Sequence, residues 1–553
     1  MSAETIWHTG KYRIASSLKK QEISADAAQP VEWKGYQRFL FRIAFIFFIL
    51  LSLPNSLYWY KAVLTLNWFR LNYRDIYDIA RFGSGVNWFG NSIFGSSLLG
   101  YAEWIITLIV ATVGALIWTA IVRLRKTERK EYNRLYYWLR VVVRYRAGIG
   151  IIGFGFTKVF PVQLPYPSLG ILNTNFGDLT AQKIYWLSIG IAPWYEVFAG
   201  IVEVAAGAML FFRRTTTLGA ILLLGALGDI VYVNLAYNGG VHVYSSYFVL
   251  LAAFLLIKDI PKIYNLLIRE KVTVPVNLYP SFSGKWLRYV RIALKSATIF
   301  IFLILLFYLQ CVNFIYDPYK QPSVAGVHEL RGNYLVSEFR INNQVIPYSP
   351  LDTVRWQEAT FEKWSTLTFR VNRPVPLDLS NGGGAPQRDI GRTFEMTGVA
   401  GGQRVFHYQA DTIDKVLYLE DKYRPVSFRM NRGGAGRGRS GSDSTAAFSR
   451  NRSRRAANAG SGNNWISEEA RAHIGNELTM INSMAASDRR DKEFAAAPRN
   501  ERRNRMILKY NTTDGSTVVL TGIDERKDSL YIVLKRIDRP YALSESKLQA
   551  GTY

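Results

Sequence analysis

Five ionisable residues in strongly apolar surroundings are the ones whose types and spacing could do chemistry. They are Arg146 and Lys158 in RYRAGIGIIGFGFTKVF, Glu196 and Glu203 in WYEVFAGIVEVAAGAML, and Asp229 in ALGDIVY. A charge near the middle of a bilayer costs about 2.5–3.5 kcal/mol on insertion scales, so each needs a partner or a task. Measured along the apolar runs at about 1.5 Å per residue, Arg146 and Glu203 reach nearly the same depth. Lys158, Glu196 and Asp229 gather towards the other end. This spacing predicts two clusters. Arg146 and Glu203 form a structural ion pair, whereas Lys158, Glu196 and Asp229, with one more acid than base and with Trp194, Tyr195 and Tyr232 nearby, line a polar pocket for a lipophilic ligand.

The residues between these charges set how closely the helices approach. Gly148, Gly150, Gly153 and Gly155 strip the first segment of bulk, and Glu196, Gly200, Glu203 and Gly207 fall at i, i+4, i+7 and i+11, one stripe of a helix. Gly225 and Gly228 precede Asp229. With Arg146, Gly150, Gly155 and Lys158 followed by AGIVEVAAGAMLFFRRTTTLGA, the chain resembles the DoxX family over about residues 138–262. The resemblance implies a four-helix core and membrane oxidoreduction involving quinols and thiosulfate. On that basis Lys158, Glu196 and Asp229 handle a quinone head group in a subunit of a quinone-linked oxidoreductase. Two alternatives come from other classes: a non-catalytic cell-envelope assembly or partner-binding protein, and a carboxylase-like membrane enzyme, similar in outline to the vitamin-K-dependent type, with a desolvated lysine as base.

Composition narrows the field. The chain has 553 residues and is 49% apolar, with the apolar residues concentrated in the first 312. Its formal net charge of +26 comes largely from basic residues flanking apolar runs, the pattern that orients membrane proteins, so nucleic acid is not the expected partner. One cysteine, Cys311, excludes an internal disulfide, a thiolate metal site and a CxxC redox pair. There is no metal motif, phosphate loop or nucleophile elbow. His242 and His407 are isolated in sequence and read as hydrogen-bonded surface groups.

The elements that must position the candidate residues are apolar helices. Residues 1–36 form a basic cytoplasmic tail, and 37–137 hold two spans (39–53 and 102–122) around an aromatic, interfacial 56–100. The DoxX-like core, 138–262, holds spans at 138–160, 185–212, 216–237 and 243–257, and 263–312 a linker and a seventh span at 292–311. Basic loops alternate with neutral ones, which predicts a multi-pass protein of a bacterial inner membrane with its N-terminus cytoplasmic and everything from 316 periplasmic. Residues 316–553 change to period-two runs starting at Tyr334, Ser365, Arg392, Arg404, Lys415, Met506, Ser516 and Ser529. These predict an all-β barrel or sandwich. RGNYLVSEF and LYIVLKRIDRP resemble the first and last strands of a lipocalin-like barrel. A Gly/Ser/Arg-rich insert at 432–504 reads as disordered and suited to anionic lipid or cell-wall polymer. Within it, a helix capped by Ser467 places Ile466, Ala470, Ile474 and Leu478 on one face.

Overall fold

The computed structural model describes residues 32–88, 99–271, 273, 284–382, 388–423, 465–482, 503–543 and 548–551. Its first half is helical. The main elements are α1 (Gly35–Ser52), α2 (Leu57–Leu64), α3 (Tyr73–Ala80), α4 (Leu99–Leu124), α5 (Asn133–Val159), α6 (Leu169–Leu172), α7 (Ala181–Gly190), α8 (Pro193–Leu210), α9 (Thr216–Ala236), α10 (His242–Leu256) and α11 (Ile260–Leu267). They are followed by α12, continuous over Lys285–Tyr316 with one π-helical stretch at Phe300–Leu305. Four of these, α1, α4, α9 and α12, are individually long and apolar enough to cross a membrane, and six crossings result if each of two bent pairs is one span. The expected fourth span is one such pair. It breaks after Gly190 and turns by 90° into α8, because Pro193 lacks the N–H that would continue α7 but suits the first turn of a new helix.

The bundle is organised by α5 and α8. A Cβ on Gly155 would lie 2.6 Å from Val204 Cγ2, and one on Gly148 would lie 2.9 Å from the Gly207 carbonyl oxygen. Glycine at those positions lets the two backbones touch, as the small-residue stripes predicted. Helix α9 packs on α8 and α10, α1 on α4 and α5, and α12 on α3 and α5. Residues 56–88 depart from the interfacial expectation in part: α2 is exposed, with Leu57, Leu64 and nearby Phe69 uncovered, but α3 is not. Helix α3 buries Tyr73, Ile76, Tyr77 and Ala80 against the bundle instead of lying on its surface.

The second half is a closed barrel. Strands β1 (Gly332–Ile341), β2 (Trp356–Phe361), β3 (Thr366–Val371), β4 (Gln403–Asp411), β5 (Val416–Asp421), β6 (Arg505–Asn511), β7 (Thr517–Ile523) and β8 (Ser529–Ile537) pair antiparallel in chain order. Pairing of β1 with β8, from Asn333–Ile537 to Ile341–Leu530, closes the ring, and a two-residue ladder at Gln344–Val345 extends β1. Closure removes the sheet edges. Alternate residues point inward, and Tyr334, Phe339, Phe361, Phe406, Tyr408 and Leu508 are among those that fill the interior.

Two strand expectations fail. RTFEMTGV from Arg392 is a turn-rich arm, and Trp356–Phe361 is a strand not foreseen. The disorder expected for 432–504 falls mostly outside the described residues, but the helix within it, α13 (Glu468–Ile474), is present, ending at Gly475 and so short of the expected Leu478. Ser467 Oγ accepts from Ala470 N at 3.2 Å, and Ile466, Ala470 and Ile474 pack with Trp465 against Tyr418. His473 Nδ1 lies 2.9 Å from Asp411 Oδ2, a second link to the barrel.

Candidate functional site

The five candidate charges are paired differently from the sequence expectation. Glu203 forms its ion pair with Lys158, not with Arg146. Arg146 is satisfied without a carboxylate. Its Nε donates to Tyr247 Oη at 2.9 Å and its Nη1 to the Ala80 carbonyl at 2.7 Å, while the Phe82 ring lies 3.9 Å from the guanidinium carbon. Ala80 is the last residue of α3, so the cation meets the negative end of a short helix. Tyr247 passes the link on by donating to the Leu51 carbonyl at 2.6 Å, which ties α5, α10 and α1 together.

Glu196 is buried as expected. One oxygen accepts from Leu164 N at 3.2 Å, while the other has no hydrogen-bond partner. Asp229 is exposed on the outer face of α9, with no hydrogen bond or ion pair among the described residues, so the predicted trio of Lys158, Glu196 and Asp229 does not assemble. Trp194, Tyr195 and Tyr232 are likewise exposed. His407 is hydrogen-bonded, its Nδ1 lying 3.0 Å from the Ser365 carbonyl, but it is buried in the barrel and not at the surface. His242, against expectation, is buried with neither ring nitrogen partnered and stacks on Tyr101.

What the sequence did not reveal is a site at the junction of the two halves. Glu362, in the β2–β3 turn, is buried and directed at the bundle. Its carboxylate accepts from Leu169 N at 3.0 Å and Gly170 N at 2.8 Å. Burial pushes this carboxyl up to about 7 against the pull of the Gly170 N–H, and Glu395 adds repulsion. Lys320, just beyond α12, is buried over Trp186 and Phe394 and donates to the Asn381 carbonyl at 3.0 Å. Burial brings its ammonium down to about 7 even with Glu196 near. Two groups of opposite type thus exchange protons near neutrality, the property of a working site as well as of a strained interface.

Beside Glu362 is a cavity of about 150 Å³. Leu164, Pro165, Leu169 and Leu172 of the α5–α7 connection form one wall, and Trp364, Tyr541 and Leu543 of the barrel form the other. Arg331, Lys363 and Gln321 add polar groups at its margin. The junction is fastened by Asn173, whose Oδ1 accepts from Tyr541 Oη at 2.8 Å and Arg539 Nη1 at 3.1 Å. The signal available in sequence was weak: Glu362 and Lys320 sit in loops of ordinary polarity, and only the fold brings them under cover.

The Glu362 shift has a measurable consequence. Between about 4.5 and about 7 the folded protein holds a proton there that the unfolded chain releases, so unfolding free energy falls as pH rises through that window. Relative to Glu362→Gln, the wild-type protein is expected to lose stability from about pH 4.5 to about pH 7 and to stay level above. His407, which burial lowers to about 4, acts in the opposite direction but is common to both proteins and cancels in the difference. Thermal midpoints of the pair across pH are the measurement, and a difference that is flat with pH would contradict the assignment.

These features define a class: apolar helices of membrane-spanning length joined, through their connecting loops, to the wall of a closed eight-stranded barrel. No family model matches the chain, and no solved structure matches it. Among curated proteins it is similar to one described as "Uncharacterized protein YwoB" of Bacillus subtilis (strain 168), 29% identical over 107 residues, covering 18% of this chain and 70% of that protein.

Proposed function

We propose that the protein is a DoxX-like, quinone-handling protein of a bacterial inner membrane, serving as a subunit of an oxidoreductase. In this reading it crosses the membrane seven times, with its N-terminus inside and its barrel in the periplasm, and binds the quinone ring at the bundle–barrel junction. The observation that carries this reading is the cavity beside Glu362. A void of ~150 Å³ with apolar walls is the size that takes up one benzene-like ring. The cavity lies where the C-terminal end of α5 leaves the bundle for the barrel. Glu362 supplies a carboxyl that gains or loses a proton near neutrality, which a quinone oxygen needs as its charge changes. The basic run Arg123, Arg125, Lys126, Arg129, Lys130 and Arg134 lies at the opposite end of the bundle and supports the stated orientation.

The test is to purify the full chain from native membrane, extract it and quantify quinone per protein. Wild type is expected to carry quinone in near-stoichiometric amount. Leu164→Trp, which fills the cavity from its apolar wall, is expected to lose about 90% of it, corresponding to a tenfold weaker site. Equal quinone in both proteins, or none in wild type after incubation with excess quinone, would overturn the reading.

A further inference from the structure

On the side of the bundle away from the barrel, basic side chains from three elements converge. Arg144 of α5 lies about 22 Å along the helix from Val159, and Lys295 of α12 about 32 Å from Tyr316, which puts both near the far boundary of a ~30 Å hydrocarbon layer. Arg213 joins them from the α8–α9 turn and Arg291 from one turn further along α12. Among the described residues, the charged groups that act most on Lys295 are Arg144, Arg291 and Arg213, all of like sign. Arg144 is more than nine-tenths buried and has no carboxylate partner among the described residues. Its Nη1 makes a 3.4 Å hydrogen bond to Thr216 Oγ1, with Tyr145 beside it, while its buried Nε has no partner. Aromatic rings hold the other cations in place. Lys295 Nζ is 3.8 Å from the Phe212 ring centre, and Arg213 donates to Tyr137 Oη and lies over its ring.

Converging cations around a buried, unsatisfied guanidinium N–H are a receptor for a multivalent oxyanion, since only an anion both relieves the repulsion and accepts that proton. We propose that this cluster binds a phosphate group, that of an anionic phospholipid in the leaflet away from the barrel. The phosphate lies between Arg144 and Lys295, with the acyl chains running towards the barrel along the exposed apolar flank of α12, where Phe300 and Ile304 face outward. Lys and Arg near a membrane surface attract acidic lipid individually, but here a buried arginine adds a directional donor. This site is independent of the junction cavity.

The experiment reconstitutes the full chain into bilayers of phosphatidylcholine with a minor fraction of phosphatidylglycerol and counts retained lipids by native mass spectrometry. Phosphatidylglycerol is expected to be retained about tenfold over its share, a preference that little more than one basic contact supplies. Arg144→Gln and Lys295→Gln should each reduce that enrichment to near the bulk ratio. Lys295 is only partly buried at the margin of the bundle, so its variant tests the site without risk to folding. A parallel arm adds inorganic phosphate to protein in uncharged detergent. Saturable binding there that also displaces the lipid, and that both variants lose, keeps the anion site but assigns it to free phosphate. Equal retention of the two lipids, or enrichment unchanged in both variants, would overturn the proposal.

Discussion

Glu203→Gln is expected to destabilise the membrane bundle by about 3–5 kcal/mol, because it leaves Lys158 as a buried cation with its partner gone. The pair is deep in the α5–α8 interface, with Glu203 almost wholly covered and Lys158 nearly so. Glu203 has no water to fall back on, and Lys158 has little. Lys158→Met alone should cost less, since an isolated Glu203 can take up a proton and become neutral. Combining the two should restore most of the loss seen in Glu203→Gln. Arg146→Gln is the control. Arg146 serves the Ala80 carbonyl and Tyr247, on the other side of α5, so its loss should add to that of Glu203→Gln with no rescue. Folded yield and thermal midpoint in detergent for the three single and two double variants read this directly. Rescue of Glu203→Gln by Arg146→Gln instead of Lys158→Met would mean that the pairing is wrong.

The reason Arg146 and Glu203 do not meet was present in the sequence as angle, not as depth. Gly148 and Gly155 are the residues of α5 that touch α8. Arg146 precedes Gly148 by two residues, about 200° round a helix of 3.6 residues per turn, so it points away from α8. Lys158 follows Gly155 by three residues, about 60° off the contact line, and its long side chain reaches back to Glu203. The same geometry removes Asp229 from the predicted cluster. Leu227 is buried on α9, and two residues on is the outer face, where Gly225 and Gly228 also have open space before them. On α8, by contrast, the i, i+4, i+7, i+11 spacing placed Glu196, Gly200, Glu203 and Gly207 on one buried face, because there azimuth was part of the inference.

The barrel was legible wherever one face is dry and the other wet. Seven of the eight expected runs became strands, and the insert helix followed from its serine cap and apolar spacing. Trp356–Phe361 was missed because Gln357, Glu358 and Ala359 carry little strand propensity, and its outward face is covered by the α5–α7 connection instead of by water. RTFEMTGV was misread for the converse reason. Its alternation of apolar and polar residues resembles a strand, yet Arg392, Phe394, Glu395 and Thr397 are all buried, polar and apolar alike. Such a segment is no sheet edge. It is packing material of the bundle–barrel junction, with Phe394 stacked on Trp186 of α7 and Glu395 accepting from Lys422 at 2.5 Å and Trp364 Nε1 at 3.0 Å.

Arg392 at the head of that arm carries the second large expected effect. Its guanidinium is completely buried and donates to Asp317 Oδ1 at 2.6 Å, to the Pro318 carbonyl at 2.8 Å, to Ser323 Oγ at 2.9 Å and to the Gln321 carbonyl, with Asp389 at 3.7 Å. Asp389 in turn accepts from Ser323 N and Val324 N at 2.9 and 2.8 Å. One arginine therefore pins residues 317–324, the link between α12 and β1, to the arm. Arg392→Met should leave two buried carboxylates without their cation and cost at least about 3–5 kcal/mol, the range for broken buried pairs. Because the barrel's own ring of strands and its filled interior do not involve Arg392, the loss should fall on the junction. The barrel is expected to stay folded while the 317–324 link becomes open to cleavage. In right-side-out spheroplasts, added protease should release a barrel fragment from Arg392→Met but not from wild type, and Asp317→Asn in the variant should restore part of the protection by removing one stranded charge. A barrel on the cytoplasmic side would be protected in both proteins, which would overturn the orientation. Loss of barrel strands together with the link would show that the junction and the barrel fold as one unit and that Arg392 is not confined to fastening them.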